Sequence, residues 1–234
     1  ILPSMRKLII AIDGPSGAGK GTVAQAVARA IGYRHVDSGA LYRLVAYAGA
    51  QQGLAADDRA GHVRLAQALD SRFGARPDGS ELIQLGGIDV TQGIRSEASG
   101  MGASRVAAWP EVRAALLARQ RAFARPPGLV ADGRDMGTIV FPTAALKIFL
   151  VATPEERALR RYNQLKGKDS GVSLAALSRE IAARDRQDSS RAVSPLVPAE
   201  DAVIVDSTSL SATEVVDLVW HLGRERELWR TGKA

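Results

Sequence analysis

Apolar residues along this chain fall into two kinds of run. Short continuous runs alternate with longer segments in which apolar positions return every three or four residues. Residues 7–13 (KLIIAID), 129–132 (LVAD), 146–151 (LKIFLV) and 202–206 (AVIVD) are of the first kind, and 33–37 (YRHVD) is a short, more polar strand between them. They predict strands of a parallel sheet covered on both faces. Residues 22–31, 40–52, 59–71, 96–108, 110–125, 174–186 and 212–229 predict helices. Pro154 opens another helix, with Glu155 and Glu156 in the first turn, where they complement the helix dipole. Val215, Val216, Val219 and Leu222 form the buried face of the last helix. Val112, Leu116, Leu117 and Phe123 form a stripe on the fifth, with Arg113, Arg119 and Arg121 spread around it. Strand–helix alternation of this kind predicts an α/β fold with a five-stranded parallel sheet.

Two stretches break the alternation. Residues 72–91 carry turn signals at Pro77-Asp78-Gly79 and Gly86-Gly87, with ELIQL between them. They predict a small antiparallel meander inserted on the substrate side of the core. Residues 164–173 (QLKGKDSGVS) are polar, basic and glycine-containing, and predict a lid. No internal repeat or low-complexity linker is visible. The expected organisation is a single domain over residues 1–234, with a core at about 5–58 and 126–230, an insertion at about 59–125 and a lid at about 157–191.

The first strand runs into Gly14-Pro15-Ser16-Gly17-Ala18-Gly19-Lys20-Gly21-Thr22 and then a helix. Strand, glycine-rich turn and helix are the context of a phosphate-binding P-loop. Glycines let backbone N–H groups turn inward around a phosphate; the helix N-terminus and Lys20 add positive potential. Gly21 stands where this loop usually carries Ser or Thr, and Thr22 follows one place late. That displaces the hydroxyl which ordinarily meets Mg²⁺. The bland reading is a strand-to-helix turn with no ligand.

Composition narrows the partners. The 234 residues are 46% hydrophobic and 24% charged, ordinary for a globular protein, and contain no cysteine. Disulfides and thiolate metal sites are therefore excluded. No apolar run is long enough to span a bilayer. No signal peptide is visible, residues 1–4 read as an extension ahead of a natural start at Met5, and the expected compartment is the cytoplasm. The net charge is +6, with arginine supplying 25 of the 31 cations. Arginine matches phosphate bidentately. Aromatic residues are only 5%, too few for a base-stacking platform, so a small anionic substrate is expected rather than nucleic acid.

Other charged groups stand at strand ends, where ligands gather in parallel sheets. Asp37, Ser38 and Arg43 open the second helix; Asp37 or Ser38 could equally be a helix cap. Asp132 ends the strand at 129–132 and suits a Walker B role, with Arg134 and Asp135 at the same sheet edge; a structural salt bridge is the alternative. Arg157, Arg160, Arg161, Arg179, Arg184, Arg186 and Arg191 crowd the hairpin around the expected lid. They read either as a solvated charged face or as groups that neutralise charge during phosphoryl transfer. No Asn-Lys-x-Asp segment of the GTPases is present. A short chain, an early second strand with acceptor-type residues and a basic lid favour a small-molecule kinase. Another P-loop kinase, or a non-catalytic nucleotide- or nucleic-acid-binding module, are the competing readings.

The stretches IDGPSGAGKGT (12–22), DSGALYR (37–43), RQRAF (119–123), ADGRDMGTIVFP (131–142), KIFL (147–150), Arg184-Asp185 and RAVSPL (191–196) resemble bacterial cytidylate kinases, nucleoside monophosphate kinases that phosphorylate CMP or dCMP with ATP. The glycine at 21 followed by Thr22 is that family's form of the loop. The resemblance implies a P-loop NTPase three-layer fold, with the small antiparallel sheet on the monophosphate side. It implies that Gly14, Pro15, Ser16, Gly17, Ala18, Gly19, Lys20, Gly21 and Thr22 hold ATP. Arg43 and Arg134 would bind the CMP phosphate, and Ser104, Arg113 and Asp135 would read the cytosine. Ser38, Arg184 and Asp188 would meet the sugar, and Arg191 would complete the phosphate clamp. Lys20, Arg160, Arg184 and Arg191 are the expected catalytic groups. Mg²⁺ is the expected cofactor, held through water by Thr22 or Asp132. ATP and CMP or dCMP are the expected partners of a monomer, with no nucleic acid and no membrane.

Overall fold

The structure is a computed structural model that describes residues 9–78, 80–166 and 173–229. Lys7 and Leu8 of the first expected strand, the extension at 1–4, and residues 167–172 of the expected lid lie outside the described residues.

Strands β1 (Ile9–Asp13), β2 (Arg34–Asp37), β6 (Leu129–Gly133), β7 (Leu146–Val151) and β8 (Val203–Asp206) form one five-stranded parallel sheet in the order β2-β6-β1-β7-β8. Every residue of the central strand β1 is buried, as its continuous apolar run requires. Helices α1 (Lys20–Ile31) and α8 (Ala212–Glu225) pack against each other. Val23, Val27, Val215 and Val219 close over Ile10, Ile12, Val130, Ile148 and Leu150 of the sheet. Helices α6 (Pro154–Leu165) and α7 (Leu174–Ser189) pair as a hairpin.

The chain divides into two compact units, residues 36–122 and the remainder. The unit at 36–122 contains helices α2 (Ser38–Gln51), α3 (Arg59–Gln67), α4 (Glu97–Val106) and α5 (Pro110–Arg121). It also holds the expected meander, strands β3 (Ser71–Ala75), β4 (Glu81–Leu85) and β5 (Ile88–Asp89), paired antiparallel. Helix α2 lies along α4, and Gly102 makes the approach possible: a Cβ there would meet the Ala46 Cβ at 2.8 Å.

Several boundaries differ from those the pattern predicts. Helix α1 starts at Lys20, two residues early, because left-handed Gly19 serves as its N-cap. Helix α3 stops at Gln67, and Ser71, expected at its end, instead begins β3 by pairing with Leu85. Helix α8 ends at Glu225. The chain then folds back, and the Trp229 ring packs on Trp220 at 5.4 Å over the open face of Gly223. A π-helical turn at Met136–Val140 has no periodic signature in the sequence. Arg113, one of the arginines around the stripe of α5, is buried.

Candidate active site

The loop after β1 turns through left-handed Gly17 and Gly19, and Gly14 has φ +147. Gly14 admits no side chain, since a Cβ would sit 2.0 Å from the Leu150 carbonyl oxygen of the neighbouring strand. Lys20 is buried, and its Nζ donates to Pro15 O at 2.7 Å, drawing the ammonium across the loop. No side chain caps the N-terminus of α1, which leaves the helix dipole directed at the loop. Arg160 stands at the same place. Its Nε donates to Glu156 at 2.8 Å, its Nη1 and Nη2 reach Ser207 Oγ and O at 3.1 and 2.5 Å, and Nη1 faces Gly19. Ser207 Oγ lies 3.3 Å from Ala18 O and 3.0 Å from Val151 O, tying the end of the sheet to the loop.

The end of β6 presents Asp132 and, just beyond it, Arg134. The carboxylate of Asp132 is buried, receives a 2.7 Å contact from His35 Nε2, and faces Gly21. Arg134 Nε donates to Asp188 Oδ2 at 2.9 Å. Arg191 Nη2 grips the other oxygen of Asp188. Asp188 is 1% exposed, so two guanidinium groups converge on one buried carboxylate. Burial alone would raise its pKa, but Arg134, Arg191 and Arg184 together outweigh burial and hold it below the usual carboxylate range. The cluster therefore stays ionised and keeps an excess of positive charge, as an anionic ligand requires.

Asp13, at the last position of β1, supports this edge. Its carboxylate accepts from Met136 N at 2.8 Å and Gly137 N at 2.7 Å, at the start of the π-helical turn. Burial pushes its pKa up to about 6, against the two backbone bonds; neighbouring Asp135 adds to the rise and Lys20 opposes it. Asp135 itself is buried directly before that turn.

In the unit at 36–122, Ser38, Arg43, Ser104 and Arg113 sit on α2, α4 and α5. Ser38 is buried and its Oγ accepts from Gln120 Nε2 at 2.8 Å. Arg43 Nη1 donates to Ile94 O at 3.2 Å and lies against Gly100 of α4, one turn before Ser104. Arg113 donates to Ala107 O at 3.1 Å and stacks over the Tyr42 ring at 5.4 Å. Stacking and a backbone anchor fix a buried guanidinium that a solvated helix face would leave mobile.

The family profile described as cytidylate kinase matches residues 10–225. The chain belongs to the cytidylate kinase family. It is 55% identical over 221 residues to the cytidylate kinase of Stutzerimonas stutzeri strain A1501, covering 94% of this chain and 96% of that one. It is 56% identical over 214 residues to the cytidylate kinase of Pseudomonas paraeruginosa, covering 91% and 93%. A gluconokinase from Sinorhizobium meliloti 1021 is similar in structure at a TM-score of 0.47, with 17% identity and 95% of each chain covered.

As a cytidylate kinase family member, the chain can be tested for the divalent ion that such a site would use. Among the described residues no cluster of three His, Asp or Glu side chains could enclose a metal. The donors present are hard oxygens, a carboxylate at Asp132 and an exposed hydroxyl at Thr22. These fit Mg²⁺, which keeps several waters and takes few protein ligands when phosphates supply the rest.

Four contributors escape a reading of the sequence. Asp13 lies inside the IDGPSG motif but looks like part of the strand. His35 is an ordinary position in a strand, and Ser207 stands far from any motif. Arg157 is counted among the arginines of the lid but is buried.

Proposed function

We propose that this protein transfers the γ-phosphoryl group of ATP to CMP or dCMP, giving ADP and CDP or dCDP. The observation that carries the reading is the Arg134–Asp188–Arg191 cluster, a buried, ionised and net positive group formed where the chain leaves β6 and where α7 ends. A P-loop alone calls for a nucleotide; this second anion-binding group calls for a phosphorylated acceptor.

The glycine loop and Lys20 hold the β- and γ-phosphates of ATP. Arg43, Arg134 and Arg191 hold the CMP phosphate, and Ser38, Arg184 and Asp188 meet the sugar. Asp135 accepts from the cytosine N4 amino group, while Arg113 and Ser104 donate to N3 and O2. Uracil offers a carbonyl where Asp135 needs a donor, so UMP is the poorer acceptor. The attacking oxygen already belongs to a phosphate anion, so no strong general base is needed. Catalysis is alignment of the two phosphates and neutralisation of charge by Lys20, Arg160, Arg184 and Arg191. Thr22 and Asp132 would hold Mg²⁺ through water, and the ion, when bound, neutralises the ATP phosphates. The protein acts as a monomer in the cytoplasm.

Steady-state assays with ATP, Mg²⁺ and a panel of CMP, dCMP, UMP, AMP and GMP test the reading. CMP and dCMP should lead in kcat/KM. Preference for any purine monophosphate, or turnover of none, overturns it.

A further inference from the structure

Arg157 is the fourth residue of α6 and only 3% exposed. Its Nε donates to Ala152 O at 3.0 Å. Its Nη1 donates to Ser16 O of the glycine loop at 3.0 Å and to Asp185 Oδ1 at 2.9 Å. Its Nη2 donates to Asp185 Oδ2 at 2.5 Å. Four of the five N–H groups of a guanidinium are thereby committed. The loop also rests on this residue, since a Cβ at Gly17 would meet the Arg157 Cβ at 3.0 Å. On the far side, Asp185 belongs to α7, directly after Arg184 and three positions before Asp188. One buried side chain thus joins the outer turn of the glycine loop to the helix that carries two acceptor groups.

We propose that Arg157 and Asp185 are a positioning pair. Arg157 fixes the loop on the donor side, and Asp185 sets the register of α7 against it, so that Arg184 and Asp188 are presented to the acceptor at a fixed place relative to the donor phosphates. The inference rests on the CMP kinase reading. A two-pronged guanidinium–carboxylate bond resists both rotation and sliding, which a single contact does not. Lysine cannot replace it, because one ammonium cannot hold a carboxylate by two parallel bonds and also reach two carbonyls. The two residues act on different sides of the joint, and that separates a positioning role from bulk stability. Removing the charge of Asp185 leaves Arg157 on Ser16 and Ala152, so the loop stays braced while α7 loses its register.

Steady-state kinetics and ADP calorimetry on Asp185→Asn, Asp185→Glu and Arg157→Lys, each with its Tm, test the pair. Asp185→Asn should raise KM for CMP about tenfold, the order expected when one partner of a partly buried charge pair is lost. It should leave KM for ATP and Kd for ADP within about twofold. Asp185→Glu should recover most of the CMP loss, and Arg157→Lys should weaken both nucleotides. A lower Tm with unchanged KM values in Asp185→Asn and Arg157→Lys overturns the inference, as does an equal loss for ATP and CMP in Asp185→Asn. If the unaltered protein transfers nothing to CMP, the kinase reading falls. The brace is then decided by ADP binding alone: it stands on its loop side if Arg157→Lys weakens ADP and falls if it does not.

Discussion

Asp13, at the end of β1, and Asp188, on α7, are both buried carboxylates, and their surroundings push them in opposite directions. Asp188 has arginines around it and stays ionised. Asp13 has two backbone N–H groups and the charge of Lys20 to offset burial, and burial still pushes its pKa up to about 6. A folded-state pKa of about 6 against an ordinary value of 3.8 means that Asp13 favours the fold most below pH 4, and this contribution is lost as pH rises through 6. The term is worth about 3 kcal/mol. Asp13→Asn removes it, so the Tm advantage of the unaltered protein over the variant should be larger at pH 5 than at pH 7.5. An advantage that shrinks on acidification would show that Asp13 is not the titrating group. Lys20→Ala should cut kcat about a hundredfold or more while the fold persists, because the charge proposed to neutralise the transferred phosphoryl is gone. Full turnover in that variant would remove Lys20 from the mechanism. Asp135→Ala should lower kcat/KM for CMP far more than it changes ATP binding, and an equal loss for both substrates would make Asp135 structural.

At the scale of elements, the glycine loop is a consequence of how β1 and β7 lie side by side. Gly14 is pressed against the Leu150 carbonyl, and the strand spacing leaves no room for a methyl group. Gly14→Ala should therefore cost about 3 kcal/mol and abolish ADP binding together, read by thermal unfolding and calorimetry. A variant that keeps both would show that the loop can relax. The runs of apolar residues were enough to locate the three central strands β1, β6 and β7, because burial on both faces leaves a continuous signal; the edge strands β2 and β8, with exposed positions, gave a weaker one. Helix ends were less legible. Where α3 stops depends on Ser71 finding Leu85 across the meander, and where α8 stops depends on Trp229 folding back onto Gly223. The π-helical turn depends on Asp13, which lies far away in the chain.

For the whole molecule, the residues proposed to bind CMP are spread along the chain. Ser38, Arg43, Ser104 and Arg113 lie within 36–122, and Arg134, Asp135, Arg184, Asp188 and Arg191 lie outside it. A ligand at a hundred times its Kd stabilises a protein by about 2.7 kcal/mol, so CMP and ADP should each raise Tm by several degrees. Arg113→Ala and Arg134→Ala should each remove most of the CMP shift and leave the ADP shift intact. A variant that keeps the full CMP shift would take its arginine out of the acceptor site.

By itself the sequence determined the sheet, the inserted meander, the glycine loop and the family, because each is written in contiguous residues with a local physical cause. A buried strand needs an unbroken apolar run, and a phosphate cradle needs glycines at set intervals before a helix. Tertiary structure alone decided which charges pair. Seven arginines in the region of the lid look alike in sequence. Folding buries Arg157 against Ser16 and Asp185, sets Arg160 on Ser207, and closes Arg134 and Arg191 on Asp188. The partners stand far apart along the chain, and the free energy of a buried charge depends on what folding brings beside it.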